Sequence, residues 1–227
     1  MTGRAAILIV DDEPPIRRLL RTTLSANGFV PMEAATAAEA LLAAAREKPD
    51  AIILDLGLPD AEGLTVIQTL RAQKDLTPIV VLSARGEEAL KVEALNAGAD
   101  DYVTKPFGMA ELIARVETAL RHRLQTLGAS PVFESGDLSV DLVHRRVSVG
   151  GAEVKLTPKE FDILRLLVLH AGKVLTHRFI MKEVWGAAGD VQYLRIYVRQ
   201  LRAKIEARPD QPVHILTETG VGYRLQV

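Results

Sequence analysis

Through the first half of the chain, short apolar runs alternate with longer amphipathic stretches, the pattern of strands and helices arranged around a buried parallel sheet. Ile7 to Val10, Ala51 to Leu54 and Ile79 to Leu82 are continuous apolar runs of strand length. Pro14 and Pro15 open a helix in which Ile16, Leu19, Leu20 and Leu24 recur at helical spacing, and Asn27-Gly28 closes it. A second helix is predicted over Ala37 to Arg46. Phe29 to Ala34 reads as a further strand, but Pro31 has no N–H to give a ladder, which places this strand at a sheet edge. The predicted fold is therefore α/β, a doubly wound parallel sheet of five strands in which the second strand is outermost, in the order 2-1-3-4-5.

After a helix predicted over Ala110 to Arg121 the periodicity is lost, and Leu127-Gly-Ala-Ser-Pro131 has the small and turn-forming residues of a linker. This places a first domain at residues 1–121, a linker at 122–131 and a second domain at 132–227. In the second domain, Leu138 to Leu142 and Arg146 to Val149, followed by Gly150-Gly151, predict a small antiparallel sheet. Three helices follow. Thr157-Pro158-Lys-Glu160 is a capping box that opens the first, ending near His170 and Gly172; Thr176 caps the second, through Trp185; the third spans Val191 to Ala207. Val213 to Thr217 and Tyr223 to Val227, around Thr219-Gly-Val-Gly222, predict a closing hairpin, which makes this domain α+β.

Composition changes the picture in three ways. No stretch approaches the ~20 apolar residues of a membrane span, and Ile7 to Val10 runs at once into Asp11, Asp12 and Glu13, so neither membrane insertion nor secretion is expected. The absence of cysteine excludes disulfides, thiolate metal sites and cysteine nucleophiles and fits a cytoplasmic chain. Charge is unevenly divided. Residues 1–121 carry 13 basic and 18 acidic side chains, residues 122–227 carry 15 and 11, and all five histidines lie in the second part, so the two domains are expected to meet different partners.

In an open α/β sheet, ligands sit beyond the carboxyl ends of the strands. There the chain places Asp11 and Asp12 after the first strand, Asp55 at the end of the third, Ser83 at the end of the fourth, and Lys105 after Tyr102-Val-Thr104. Singly, each has an ordinary explanation, as a strand end, a helix cap or a surface lysine. Together they are a constellation. Clustered carboxylates repel unless protonated, paired or bound to a metal. Magnesium suits oxygen ligands and keeps several waters, so Asp12, Asp55 and a nearby backbone carbonyl would hold it, with Asp11 assisting through water. Asp55 is then placed to attack a phosphoryl donor, with Lys105 and the Ser83 hydroxyl binding the phosphoryl oxygens.

The helix from Val191 presents Leu194, Val198, Leu201 and Ile205 as one apolar stripe. Arg195, Arg199 and Arg202 share a second face, with Gln192, Gln200 and Lys204 near it. Residues 191–208 hold five basic side chains and one acidic, a charge suited to DNA phosphates and to the major groove. Basic helical faces are also commonly just solvated. Phe161 and Trp185 read as core residues rather than stacking platforms.

Asp11-Asp-Glu13, Asp55 with Pro59 and Gly63, Ser83-Ala84 and Thr104-Lys-Pro106 resemble the receiver domain of bacterial response regulators. Leu156-Thr-Pro-Lys-Glu-Phe161, the basic helix and Thr219-Gly-Val-Gly-Tyr-Arg224 resemble winged-helix regulators, with Arg224 as a minor-groove or phosphate contact. The whole chain thus resembles the OmpR/PhoB-type response regulators. His170 to His177, Val184-Trp-Gly186 and Tyr193 to Tyr197 are similar to the Kdp-type branch, which governs high-affinity potassium uptake.

The resemblance implies that a sensor histidine kinase phosphorylates Asp55, that the Gly57 carbonyl joins the Mg2+ site, and that Ser83 and Tyr102 form a switch pair. It implies a cis Lys105-Pro106 peptide. It also implies a homodimer on phosphorylation, with Lys91, Asp101, Glu111 and Arg115 pairing across it while Asn96 and Glu117 lack the opposite charges often found there. Double-stranded promoter DNA and RNA polymerase are the remaining implied partners, and the chain is not expected to be an enzyme. Two rival readings remain: a phosphatase or phosphotransferase acting on small substrates, and a DNA-binding protein whose receiver serves only assembly.

Overall fold

Five short runs form the parallel sheet of the N-terminal unit: β1 (Ala6–Val10), β2 (Val30–Ala34), β3 (Ala51–Asp55), β4 (Ile79–Ser83) and β5 (Asp101–Thr104). The computed structural model describes residues 4–84, 88–186 and 190–227, with the backbone alone at Glu88. These residues form two compact units, Ala5–Thr126 and Leu127–Val227.

The sheet order is β2-β1-β3-β4-β5, as the pattern predicts. β2 pairs only with β1, so Pro31 stands on an edge where its missing N–H costs no ladder bond. The helices are α1 (Pro14–Ala26), α2 (Ala37–Glu47), α3 (Gly63–Ala72), α4 (Glu88–Asn96) and α5 (Met109–Thr126). Leu8, Val10, Ile52, Leu54, Ile79 and Val81 point to one face and pack with Ala40 and Ala44 of α2, Ile67 and Leu70 of α3, and Ala94 of α4. The alternate strand residues, such as Ile7, Ile9 and Ile53, are buried equally well on the face served by α1 and α5. Burial on both faces explains why the inner strands are uniformly apolar.

Two differences from the sequence expectation stand out. α5 runs to Thr126, five residues past the expected boundary at Arg121, because Leu124 continues the buried stripe of Val116 and Leu120 at helical spacing. The linker is correspondingly shorter. α3 and α4 had no counterpart in the sequence pattern. α4 has no apolar stripe to read: Leu90, Val92 and Leu95 are exposed, and among its described side chains only Ala94 is buried.

The C-terminal unit begins with an antiparallel sheet of β6 (Val132–Ser135), β7 (Leu138–Asp141), β8 (Arg146–Val149) and β9 (Ala152–Glu153). Gly150 and Gly151 both take positive φ, 57° and 80°, to close the last hairpin. α6 (Pro158–Leu169), α7 (His177–Trp185) and α8 (Val191–Ile205) follow, with β11 (Ile215–Glu218) and β12 (Gly222–Leu225) as the final hairpin. The capping box forms: Thr157 accepts the Glu160 N–H and Glu160 accepts that of Thr157 at 2.7 Å. A third strand, β10 (Val174–Thr176), completes the sheet β10-β12-β11; the sequence reading had given Thr176 only its capping role. Phe161, Ile163, Leu164, Ile180, Leu194, Val198, Leu201 and Ile205 form the core. α8 stops at Ile205, two residues early, because Glu206 turns extended and its carboxylate accepts the N–H groups of Val213, His214 and Ile215. Three backbone donors secure that short segment to the end of the helix.

Candidate functional site

At the carboxyl rim of the parallel sheet the fold brings together the residues singled out above. Asp11 lies just past β1, Asp55 ends β3, Ser83 ends β4 and Lys105 follows β5. The Lys105 ammonium donates to Asp55 Oδ2 at 2.6 Å and to Asp11 Oδ2 at 3.0 Å. Asp11 Oδ1 accepts the Glu13 N–H at 2.9 Å, and Asp55 Oδ1 accepts the Gly57 N–H at 3.2 Å. Carboxylate oxygens of Asp11, Asp12 and Asp55 come within 4.8 Å of one another. Asp11 is buried, Asp55 half-buried and Asp12 exposed, so the cluster opens outward from a dry floor.

Burial raises the Asp11 carboxyl above the ordinary carboxylate range, against the hydrogen bonds from Lys105 and the Glu13 N–H. Burial also disfavours the charged form of Lys105, but its bonds to Asp55 and Asp11 outweigh that effect and its net shift is upward. The Ser83 hydroxyl is buried and has no hydrogen-bond partner. This buried hydroxyl, at the end of the strand next to the one that carries Asp55, lacks the acceptor that buried polar groups ordinarily find. Gly63 is required here: a Cβ would lie 2.4 Å from the Asp55 carbonyl oxygen, where α3 begins against the end of β3.

The donor set is all oxygen, partly buried, and arranged around a cation, the Lys105 ammonium. That fits a hard divalent ion better than any soft metal. The residues present therefore suit such an ion, with Asp11, Asp12 and Asp55 as carboxylate ligands.

Tyr102 is half-buried against the sheet core, with Lys91 Nζ 5.2 Å from its ring centroid. The Lys105-Pro106 peptide is cis. Arg115 pairs within the chain, with Asp101 at 2.9 Å and Glu111 at 3.2 Å, and bonding to the first of these raises its basicity. Tyr102, Thr104, Lys105, Pro106, Glu111 and Arg115 line a cavity of about 460 Å³ on this side.

In the C-terminal unit the sequence reading is redistributed. Gln192, Arg195, Arg199 and Gln200 are exposed along α8. Arg202 instead turns inward: Nε and a terminal nitrogen donate to the Ile215 carbonyl, and the same nitrogen reaches Thr217 Oγ1 at 2.8 Å. Lys204 pairs with the buried Glu160, and Arg224 pairs with Glu218 at 2.9 Å. These three cations, expected on nucleic acid, are engaged within the domain, because α8, α6 and the hairpin bring carbonyls and carboxylates within their reach. The exposed face also carries Tyr193 and Ile196, which the sequence had marked only for their family likeness; both fall outside the apolar stripe that the core requires. Phe161 is fully buried, whereas Trp185 is half-buried beside Tyr197 and Lys159. In the hairpin, a Cβ at Gly222 would lie 1.8 Å from the Leu175 carbonyl oxygen, so β10 and β12 can pair only with glycine there.

A phosphoacceptor-like rim on one unit and a basic helix beside a hairpin on the other have counterparts in known families. Residues 7–117 match the response regulator receiver domain, and residues 151–225 match the C-terminal domain of transcriptional regulatory proteins. The chain belongs to the OmpR/PhoB-type response regulators, two-component proteins that act as transcription factors. Among individual relatives, it is 50% identical to the KDP operon transcriptional regulatory protein KdpE of Escherichia coli K12, over 97% of this chain and 99% of that one. It is 47% identical to KdpE of Mycobacterium tuberculosis H37Rv, over 97% and 98%. A solved structure from a streptococcal family of redox sensors evolved from two-component response regulators is 26% identical, with a TM-score of 0.51 and coverage of 98% and 99%.

Proposed function

We propose that Asp55 is the phosphoacceptor of a two-component pathway and that its phosphorylation controls binding of the C-terminal domain to promoter DNA. The observation that carries this reading is the pocket itself: Asp55 held by Lys105 at 2.6 Å, beside a buried Ser83 hydroxyl with no partner. A carboxylate oxygen of Asp55 attacks the phosphorus of a phosphohistidine on a sensor kinase; the new P–O bond forms as the P–N bond breaks, and the imidazole leaves. Lys105 moves from pairing Asp55 to pairing a phosphoryl oxygen, and Ser83 donates its unused proton to another. Asp11, Asp12, Asp55 and the Gly57 carbonyl would hold Mg2+, which would supply positive charge to offset the attacking carboxylate and the incoming phosphoryl group.

Loss of the Ser83 hydroxyl to the phosphoryl group draws on the neighbouring Tyr102, and the face carrying Lys91, Asp101, Glu111 and Arg115 then pairs with a second copy. In the resting chain Arg115 is already neutralised by Asp101 and Glu111, so dimerisation exchanges these partners for those of the second copy. Two C-terminal domains on repeated half-sites would present Gln192, Arg195, Arg199 and Gln200 to the major groove, with RNA polymerase as the further partner. Arg202, Lys204 and Arg224 then support the helix and hairpin rather than lead the contact. The likeness to KdpE across nearly the whole chain supports a high-affinity potassium-uptake operon as the target, in the cytoplasm. The chain acts as a stoichiometric acceptor, with no turnover of small phosphate esters.

The test is binding to the promoter nearest its own gene, with and without Mg2+ and acetyl phosphate, for wild type and Asp55→Asn. Donor-dependent tightening in wild type alone is expected. Tight binding indifferent to donor and substitution would favour a receiver that serves only assembly.

A further inference from the structure

Asp60 follows Asp55 by five residues and is exposed, yet each of its carboxylate oxygens accepts a backbone N–H. Oδ1 accepts the N–H of Ala37 at 2.8 Å and Oδ2 accepts that of Ala38 at 3.0 Å. These are free donors at the start of α2, and Thr36 takes the Glu39 N–H at 3.1 Å. The two backbone bonds hold the Asp60 carboxyl below the ordinary carboxylate value, with the Ala38 bond the stronger cause. No described cation pairs with it.

The contact joins two parts of the rim. The segment between β2 and α2 is held from one side by Asp11, whose N–H donates to the Ala34 carbonyl at 3.2 Å. It is held from the other by Asp60. The loop after β1 carries Asp11 and Asp12, and the loop after β3 carries Asp55 and Gly57, so both carboxylate-bearing loops are fastened to the same short stretch of chain. Between Asp55 and Asp60 the loop's other ties are the Gly57 N–H on Asp55 Oδ1, the Gly63 N–H on the Leu56 carbonyl at 2.9 Å, and the half-buried Leu56 and Leu58.

We infer that Asp60 is a positioning residue, a latch that fastens the phosphoacceptor loop to the first turn of α2 and so presets Asp55 and Gly57 for a divalent cation and a phosphoryl group. The inference rests on the function proposed above. It assigns a task to a side chain that touches neither the cation nor the phosphoryl group. A carboxylate suits the task because two acceptor oxygens meet two parallel N–H groups at the positive end of a helix. The amide of Asn offers only one such oxygen.

The experiment uses the full chain: calorimetric titration with Mg2+, and hydrogen exchange of residues 56–62 in metal-free protein, for wild type, Asp60→Ala, Asp60→Asn and Thr36→Ala. Asp60→Ala is expected to weaken Mg2+ binding by roughly tenfold, the lower end of what loss of an outer-shell support does to a metal site, and to speed exchange across the loop. Asp60→Asn should fall between it and wild type. Thr36→Ala weakens the same helix start without touching the loop, and should bind Mg2+ as wild type does. The latch is overturned if Asp60→Ala binds Mg2+ like wild type, or if Thr36→Ala loses as much, since the effect would then be helix stability alone. A wild-type chain that neither binds Mg2+ nor takes a phosphoryl group from acetyl phosphate would instead defeat the proposed function, and the latch with it.

Discussion

Lys105 sets its ammonium 2.6 Å from Asp55 Oδ2, so the proposed phosphoacceptor is already paired with a cation in the resting chain. The same ammonium reaches Asp11 at 3.0 Å, and it therefore occupies the electrostatic centre that a metal would share. Two opposite consequences follow for Lys105→Met. Removing a competing cation should tighten Mg2+ binding, measured calorimetrically. Removing the group that meets the phosphoryl oxygens should slow phosphorylation by acetyl phosphate by about 10²-fold, the scale for losing one preorganised donor. Unchanged phosphorylation would show that the lysine only neutralises the floor of the pocket.

Ser83 offers a cleaner separation of resting and phosphorylated states. Its hydroxyl is buried without a partner, so the resting fold bears the desolvation of a polar group for no bond. Ser83→Ala is predicted to leave the unphosphorylated chain as stable as wild type or up to roughly 1 kcal/mol more so in thermal unfolding. The phosphorylated form should lose its Ser83 bond, seen as weaker donor-dependent DNA binding. A marked fall in resting stability would mean that the hydroxyl has a partner before phosphorylation.

Asp11 ties stability to pH and metal. Burial raises its folded value above the ordinary 3.8, so between 3.8 and that higher value the folded chain holds a proton the unfolded chain has released. Its contribution to stability is thus greatest below 3.8 and declines as pH rises through the folded value, leaving an ionised, destabilising carboxylate at neutral pH. Asp11→Asn should remove that decline in metal-free protein. It should also shrink the rise in melting temperature that Mg2+ gives wild type at neutral pH. If wild type and Asp11→Asn show the same pH profile and the same response to Mg2+, Asp11 is not the group responsible.

Along α8, two arginines three residues apart are predicted to fail in different ways. Arg199 is exposed, and Arg199→Ala should lower DNA affinity roughly tenfold while leaving the melting temperature unchanged. Arg202 holds the Ile215 carbonyl and lies beside the Tyr223 ring, at 5.8 Å from its centroid. Arg202→Ala should destabilise the C-terminal unit by roughly 2 kcal/mol, through lost charge-assisted bonds and a carbonyl left unpaired. Equal stability of the two variants in denaturant unfolding would return Arg202 to the list of direct contacts.

Local rules made much of this protein readable before any coordinates. Uniform apolar runs announced strands buried on both faces, Pro31 announced an edge, and the Thr157 to Glu160 spacing announced a capping box that forms as expected. The polar residues at strand ends were legible for the same reason: in a parallel sheet every strand ends on one rim, so Asp11, Asp55, Ser83 and Lys105 must approach one another wherever they lie in the chain. The tertiary structure decided what depends on partners distant in sequence. α4 has no apolar stripe because its outward residues are themselves apolar, and β10 is a strand because β12 lies beside it. Arg202, Lys204 and Arg224 look like free cations in the sequence, and only the packing of helices and hairpin gives each an acceptor. Asp60 reaches α2 across more than twenty residues of chain. Periodicity and capping are properties of a few neighbouring residues, whereas the partner of a side chain is set by which segments the fold places side by side.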